Sequence, residues 1–356
     1  MSEEQDELLI DRLGGFGRIV LNRPRAMNAL TLEQVRAMDP LLREWADDSG
    51  IDAAIIGGAG DRAFCAGGDI RELYTSRTED GVESDYQQAF YGEEYVLNHL
   101  IKTFPKPWLA LINGINMGGG VGLSVHGSHR VITENVMFAM PETGIGLFPD
   151  VGGTYFLPRC PGQIGMFLGL TGARLKAADC LYAGVGTHFV LAEKLDALAE
   201  SLGAADLSQD ARAAIDDILS GYAEDPGPAP LAEHREAIDR CFAGESVEAI
   251  LTALEAEDSE WAEKQRAAIL TKSPTSLKVT HRQIRLGAEL DFAECMTLEY
   301  RIAMGCMRNH DFFEGVRAVI IEKDNAPAWR PATLAEVGDA DIEEYFAPLG
   351  ERDLKF

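Results

Sequence analysis

Two acids, Glu142 and Asp150, stand in an otherwise apolar, Gly/Pro-rich segment: Met140-Pro141-Glu142-Thr143-Gly144-Ile145-Gly146-Leu147-Phe148-Pro149-Asp150-Val151-Gly152-Gly153. The prolines at 141 and 149 and the glycines at 144 and 146 disfavour a continuous helix, so the spacing predicts a shaped loop. A carboxyl in apolar surroundings has its pKa raised by desolvation, which suits general acid/base work. The competing roles are ordinary ones. Asp150 could be the N-cap of a helix through Tyr155, Phe156 and Leu157, and Glu142 a surface-loop acid.

A second chemistry-bearing feature is the glycine cluster Asn113-Gly114-Ile115-Asn116-Met117-Gly118-Gly119-Gly120-Val121-Gly122. Five glycines in ten residues bring a backbone close to something. The spacing fits neither the phosphate-binding P-loop nor the dinucleotide fingerprint. Two readings stand: tight packing of a helix on a sheet, or bare N–H groups at a helix start suited to a developing oxyanion. The turn Ala66-Gly67-Gly68-Asp69, followed by Ile70, could supply a second donor. Gly122-Leu123-Ser124-Val125-His126-Gly127 has one residue too many for a nucleophile elbow, so Ser124 is not expected to be catalytic. His126 and His129 lie at helical spacing, but no accompanying motif supports a metal, and core or helix-end roles are expected.

These loops need strands and helices to aim them. Short apolar runs at 18–21, 53–56 and 108–112 read as strands, the last leading into the glycine cluster. Thr31 reads as the N-cap of a helix over 32–46, and apolar spacing predicts another over 90–101. The polar stretch 75–85 is expected to be mobile. Asp225-Pro226-Gly227-Pro228-Ala229-Pro230 is the clearest linker. Helices follow over 231–242, 247–254, 260–272, 274–287 (started by Ser273-Pro274), 292–308 and 312–322. The chain thus reads as an α/β core over 1–200 and a mostly helical region over 201–356.

Composition narrows the class. The 356 residues are 46% hydrophobic and 25% charged, ordinary for a globular chain. The balance of 32 basic against 58 acidic residues, a formal net charge of -26, argues against a nucleic-acid or anionic-membrane partner. No apolar run has the length of a membrane span. The acidic start, MSEEQDELLIDRLGG, and six scattered cysteines without a C-x-x-C pair point to a cytoplasmic protein with reduced thiols.

Together, four segments in this order resemble the crotonase (enoyl-CoA hydratase/isomerase) superfamily. They are Leu21-Asn22-Arg23-Pro24 through Asn28-Ala29-Leu30, Phe64 through Ile70, the glycine cluster, and Pro141-Glu142 through Gly153. Within it, the chain is most similar to the branch that hydrolyses the thioester of 3-hydroxyisobutyryl-CoA or a similar small 3-hydroxyacyl-CoA. That likeness rests on Glu93-Glu94-Tyr95, Phe156-Leu157-Pro158-Arg159, Ser273 through Lys278, Met307-Arg308, Asp311-Phe312, Glu314 through Ala318 and the terminal Asp353-Leu354-Lys355-Phe356. It covers nearly the whole chain, and only 190–245 is unremarkable.

The resemblance implies a spiral of ββα units whose backbone N–H groups at Gly68 and Gly119 hold a CoA thioester oxygen. A hydratase of this pattern would carry a second glutamate where Gly122 stands and a glycine where Asp150 stands. On the same pattern Glu142 acts as nucleophile or as general base, and Asp150 receives the substrate's 3-hydroxyl or positions water. Glu94 contacts substrate, although a solvated helix face would also explain it. Ala66, Asp69 and Ile70 line the acyl-CoA, and Arg25 meets the CoA phosphates or adenine. No metal and no cofactor beyond CoA, which is part of the substrate, is implied. Valine breakdown is the implied pathway, a hydratase/isomerase on the same fold is the alternative, and a homo-oligomer is open.

Overall fold

Gly14 takes φ +58, and this left-handed turn reverses strand β1 (Leu8–Leu13) into β2 (Phe16–Leu21). The fold is known from a computed structural model that describes residues 6–78 and 81–356. Residues 1–5 of the acidic start, and residues 79 and 80 of the 75–85 stretch expected to be mobile, lie outside the described residues. Strands β3 (Ala53–Gly58), β5 (Trp108–Ile112), β7 (His129–Ile132) and β9 (His188–Phe189) continue the sheet in the order β1-β2-β3-β5-β7-β9. Only the β1–β2 pair is antiparallel; β2–β3, β3–β5, β5–β7 and β7–β9 are parallel. Parallel strands need both faces covered, which is why β3 opens with Ala-Ala-Ile-Ile, all buried.

Between these strands come three short ones, β4 (Ala63–Cys65), β6 (Ile115–Met117) and β8 (Met137–Ala139), which form a second sheet in the order β4-β6-β8. Each turn of the chain therefore gives one strand to each sheet before a helix, the expected ββα spiral. The helix Leu32–Asp47 starts as expected at Thr31, whose hydroxyl accepts from the Gln34 N–H at 3.2 Å while Gln34 accepts from the Thr31 N–H. Its Val35, Met38, Leu42 and Trp45 recur at helical spacing and are buried.

The described chain forms two compact units that alternate along the sequence. One gathers residues up to Gly68, Leu97–Phe138 and Leu175–Pro230; the other gathers Asp69–Val96, Ala139–Arg174 and Leu231–Phe356. The division does not fall at residue 200, because two earlier segments pack with the helical end of the chain. One boundary does coincide with the Asp225–Pro230 linker. The first unit holds the large sheet, with Phe16, Ile55, Leu109 and Val131 packed against Leu198, Leu202, Ile215 and Leu219.

The second unit is helical. Ser273 caps Pro274–Gly287 as expected, and Asp291 caps Phe292–Arg308. Two spans differ from expectation. Residues 231–242 split at His234 into Pro230–Glu233 and Arg235–Cys241. The helix expected over 312–322 is His310–Val316, after which Arg317–Ile321 widens into a π-turn. There the Arg317 guanidinium holds Glu314, Glu322 and Asp324 together. A helix over Asp339–Phe346 was not anticipated. No helix of the described residues is long and apolar enough to cross a membrane.

Candidate active site

In the first unit, β4 and β6 are parallel neighbours, with Cys65 opposite Asn116. The chain leaves both at their carboxyl ends, so the turn that begins at Ala66 and the Gly118-Gly119 part of the glycine cluster emerge side by side. The first turn is tied down from below. The Leu30 N–H donates to the Gly67 carbonyl at 2.9 Å and the Ala66 N–H to the Met27 carbonyl at 3.1 Å. Asn28, itself at φ +56, donates through Nδ2 to the carbonyls of Ala59 and Ala63 and accepts the Arg23 N–H at Oδ1. The segment from Asn22 to Leu30 is thus a clamp for the Gly68 turn.

In the second turn Gly118 adopts φ 47, ψ -124, and from it starts the short helix Gly119–Ser124, with Gly119 first. The opening N–H groups of a helix have no acceptor within it, so the Gly119 amide has none within the helix it opens. The packing reading is realised one residue on. A Cβ at Gly120 would lie 2.5 Å from the Cys65 carbonyl oxygen. Packing at Gly120 thus leaves the Gly119 amide open to the other reading.

Six acids among the described residues of the second unit are withdrawn from water, including Glu94, 2% exposed, Glu142 5%, Asp150 5% and Glu299 0%. Asp150 follows Pro149, and its Oδ2 accepts the phenol O–H of Tyr95 at 2.8 Å. Burial pushes its pKa up to about 7, opposed by that hydrogen bond. It is not a helix cap. The cap position of Gly153–Phe156 is Gly152, and the carboxylate receiving that turn's amides is Glu299. Glu299 accepts the N–H groups of Gly152 and Thr154, both at 2.8 Å. Burial raises Glu299 to about 8, against those bonds and reinforced by the charge of Asp150.

Glu142 opens the 3-10 turn Glu142–Ile145. The turn is held from two sides: the Ser273 N–H donates to the Thr143 carbonyl at 3.1 Å, and Gly146, at φ +71, lies so close to Asp311 that a Cβ would sit 2.2 Å from its carbonyl. Asp311 in turn accepts the Ser273 hydroxyl at 2.6 Å. Glu142 Oε2 has no hydrogen-bond partner among the described residues. Burial first, and then the charge of Asp150, raises its pKa well above the usual range, while Lys272 opposes. Glu94 behaves alike, with Oε1 unpartnered and its pKa driven up by burial, Asp150 and Glu299. Glu94 is therefore not on a solvated face.

The remaining sequence candidates sort as follows. Ser124 donates to the Gly120 carbonyl at 2.8 Å and accepts from Asn116 Nδ2, an arrangement that serves the helix. His129 lies between Ser128 Oγ at 2.7 Å and Asp216 Oδ1 at 3.0 Å, and His126 is buried. No group of three or more metal-ligating side chains occurs among the described residues. Arg25 is exposed in the turn Pro24–Ala26, Ala66 and Gly68 are half-buried, and Asp69 and Ile70 begin the helix Ile70–Thr75. All six cysteines are buried free thiols. Sequence reasoning passed over Tyr95 as a partner of Asp150, although its neighbour Glu94 was singled out. It also passed over Glu299, which looks like any acid on a long helix.

A family model described as enoyl-CoA hydratase/isomerase matches residues 16–346. The chain is 50% identical to 3-hydroxyisobutyryl-CoA hydrolase, mitochondrial, of Danio rerio over 359 residues, 99% of this chain and 93% of that one. It is 47% identical to the protein of the same name from Homo sapiens, with 100% and 92% covered. Among solved structures it is similar to a carnitinyl-CoA dehydratase from Mycobacterium thermoresistibile, with a TM-score of 0.91, 41% identity and 99% of each chain covered. It is also similar to an enoyl-CoA hydratase from Rhodobacter sphaeroides 2.4.1, with a TM-score of 0.89 and 39% identity over 98% of this chain and 100% of that one. These names divide between hydrolysis of a thioester and the addition or removal of water.

Proposed function

This chain belongs to the enoyl-CoA hydratase/isomerase family, and from that premise we propose that it hydrolyses the thioester of 3-hydroxyisobutyryl-CoA, or of a similar small 3-hydroxyacyl-CoA, to the free acid and CoA. The observation that carries the choice over water addition is Asp150. It is a buried carboxyl fixed by a phenol at a position where hydratases of this pattern have a glycine, while Gly122 offers no second glutamate.

In this reading the amides of Gly68 and Gly119 receive the thioester oxygen as it becomes an oxyanion. One such donor is worth about 3 kcal/mol in the transition state. Glu142 delivers the oxygen nucleophile, either by its own attack on the carbonyl carbon or by taking a proton from water. Both routes end with the C–S bond broken, the CoA thiolate protonated and one water consumed. Asp150 receives the 3-hydroxyl or positions the water, Glu94 contacts the substrate, Ala66, Asp69 and Ile70 line it, and Arg25 faces the CoA phosphates or adenine. The reaction needs nothing beyond substrate and water. We place it in valine breakdown and, on its free thiols, in the cytoplasm, whereas the relatives' names place those proteins in mitochondria.

The test follows free thiol release from 3-hydroxyisobutyryl-CoA alongside hydration of crotonyl-CoA. Thiol release with negligible hydration is expected. Hydration without thiol release would overturn the reading.

A further inference from the structure

Tyr91, Glu94 and Tyr95 stand on one face of the helix Asp85–Thr103, at the i, i+3 and i+4 positions that bring side chains together. All three are buried. The two phenols have different fates. Tyr95 commits its proton to Asp150, whereas Tyr91 Oη is buried with no hydrogen-bond partner among the described residues. The ring of Tyr91 packs edge-on against Phe90, at 5.7 Å between centroids, and tilted against Tyr95 at 5.8 Å, and the residue is 1% exposed. The charges of Asp150, Glu94 and Glu142 all act on this phenol and, with burial, keep it protonated. Two of the carboxyls whose charges act on it, Glu94 and Glu142, each have an unpartnered oxygen, Oε1 and Oε2.

A buried donor without a protein partner costs free energy, and a ligand that supplies the missing acceptor is one way a folded chain recovers it. The acceptor must tolerate a cluster already rich in carboxyls, so it is not another anion. A substrate hydroxyl fits because it has one hydrogen to give and lone pairs to offer. The carboxyls take its hydrogen, and its oxygen is left needing a donor. We propose that Tyr91 is a specificity-determining residue whose phenol donates to the oxygen of the substrate's 3-hydroxyl while the neighbouring carboxyls accept that hydroxyl's hydrogen. This rests on the hydrolase reading above and names what selects hydroxylated acyl groups within it.

The experiment compares Tyr91→Phe with the unaltered enzyme on 3-hydroxyisobutyryl-CoA and on isobutyryl-CoA, which lacks the hydroxyl. The readouts are thiol release and the melting temperature of the substrate-free protein. The expected result is a fall of roughly ten-fold or more in the ratio of the two kcat/KM values. The melting temperature should equal or exceed that of the unaltered protein, since an unpartnered hydroxyl has been removed. A structural role predicts the reverse, a lower melting temperature and equal losses on both substrates, and either result overturns the inference. Tyr95→Phe provides the contrast, because its hydroxyl has a protein partner and its loss lowers the melting temperature. If the unaltered enzyme releases no thiol from either substrate, the hydrolase reading fails first and the inference with it. If it turns over both and the ratio is unmoved in Tyr91→Phe, only the inference falls.

Discussion

Tyr95→Phe removes one oxygen atom, and its effect can be worked through from the bond it breaks. The phenol donates to Asp150 at 2.8 Å inside a buried cluster, and a hydrogen bond to a charged acceptor contributes about 1.5–3 kcal/mol. That contribution favours the ionised carboxylate, so its loss raises the pKa of Asp150. At about 1.4 kcal/mol per unit the rise is roughly one to two units. From a start of about 7, the acid limb of the pH–rate profile moves to roughly 8–9. At pH 7 the ionised fraction then drops from about one half to ~1–10%, so kcat/KM on a 3-hydroxyacyl-CoA falls roughly five- to fifty-fold. The assay is thiol release against pH. Activity should recover as pH rises past 9, because ionisation restores what the phenol supplied. A limb that stays near pH 7, or a loss of the same size at every pH, would refute the reasoning and leave Tyr95 as packing only.

Three further outcomes follow from the same cluster. Glu142→Gln should abolish thiol release while CoA binding, measured by calorimetry, stays nearly intact; retained turnover would remove Glu142 from the chemistry. Asp150→Asn should change stability in a pH-dependent way. The folded-state pKa of about 7 lies above the unfolded value of 3.8, so stability is full below pH 4 and lost as pH rises toward 7. The loss reaches about 4 kcal/mol at most, and melting curves of Asn variant and parent should coincide near pH 4 and diverge by several degrees at pH 7.5. A constant gap would count against the assignment. Gly146→Ala must accommodate a Cβ 2.2 Å from the Asp311 carbonyl at φ +71, which costs about 1–3 kcal/mol and displaces the Glu142 turn. Its kcat should fall by roughly ten-fold or more with KM much less affected; a kcat left at the parent's level would show that the turn is not what aims Glu142.

What the sequence made legible was local. Thr31 and Ser273 announce helices through a hydroxyl and the residues that follow it, and the Gly/Pro content of 140–153 announces a loop. The strands β4, β6 and β8 carry three residues each, too few to show a period, so the second sheet was invisible until the glycine turns were placed at its ends. β1 is an edge strand with Leu9 and Ile10 exposed, and it lacks the alternation that would mark it. Glu142 and Asp150 were found from their apolar surroundings, and Glu94 only from the family resemblance. Their partners were not, because Tyr95 is 55 positions from Asp150 and Glu299 is 147 from Gly152. Nothing in a neighbourhood of ten residues distinguishes Glu299 from a surface acid. Only the helix that carries it inward reveals the difference.

The interleaving of the two units bears on how the protein is made. A ribosome delivers the whole first unit by Pro230, together with Asp69–Val96 and Ala139–Arg174. Those two segments carry Tyr91, Glu94, Tyr95, Glu142 and Asp150, yet the helices they pack with come from Leu231–Phe356. At about 5–20 residues per second, the last third of the chain takes roughly 6–25 s to appear. For that interval the acid-bearing segments are without the Ser273 N–H that fixes the Glu142 turn and the Glu299 carboxylate that gathers the Asp150 loop. The nascent chain thus holds a formed sheet while its set of carboxyls is unfinished, and the second unit is completed last. A ribosome stalled just past the Asp225–Pro230 turn would display a folded unit with both glycine turns but without the helices that complete the carboxyl cluster.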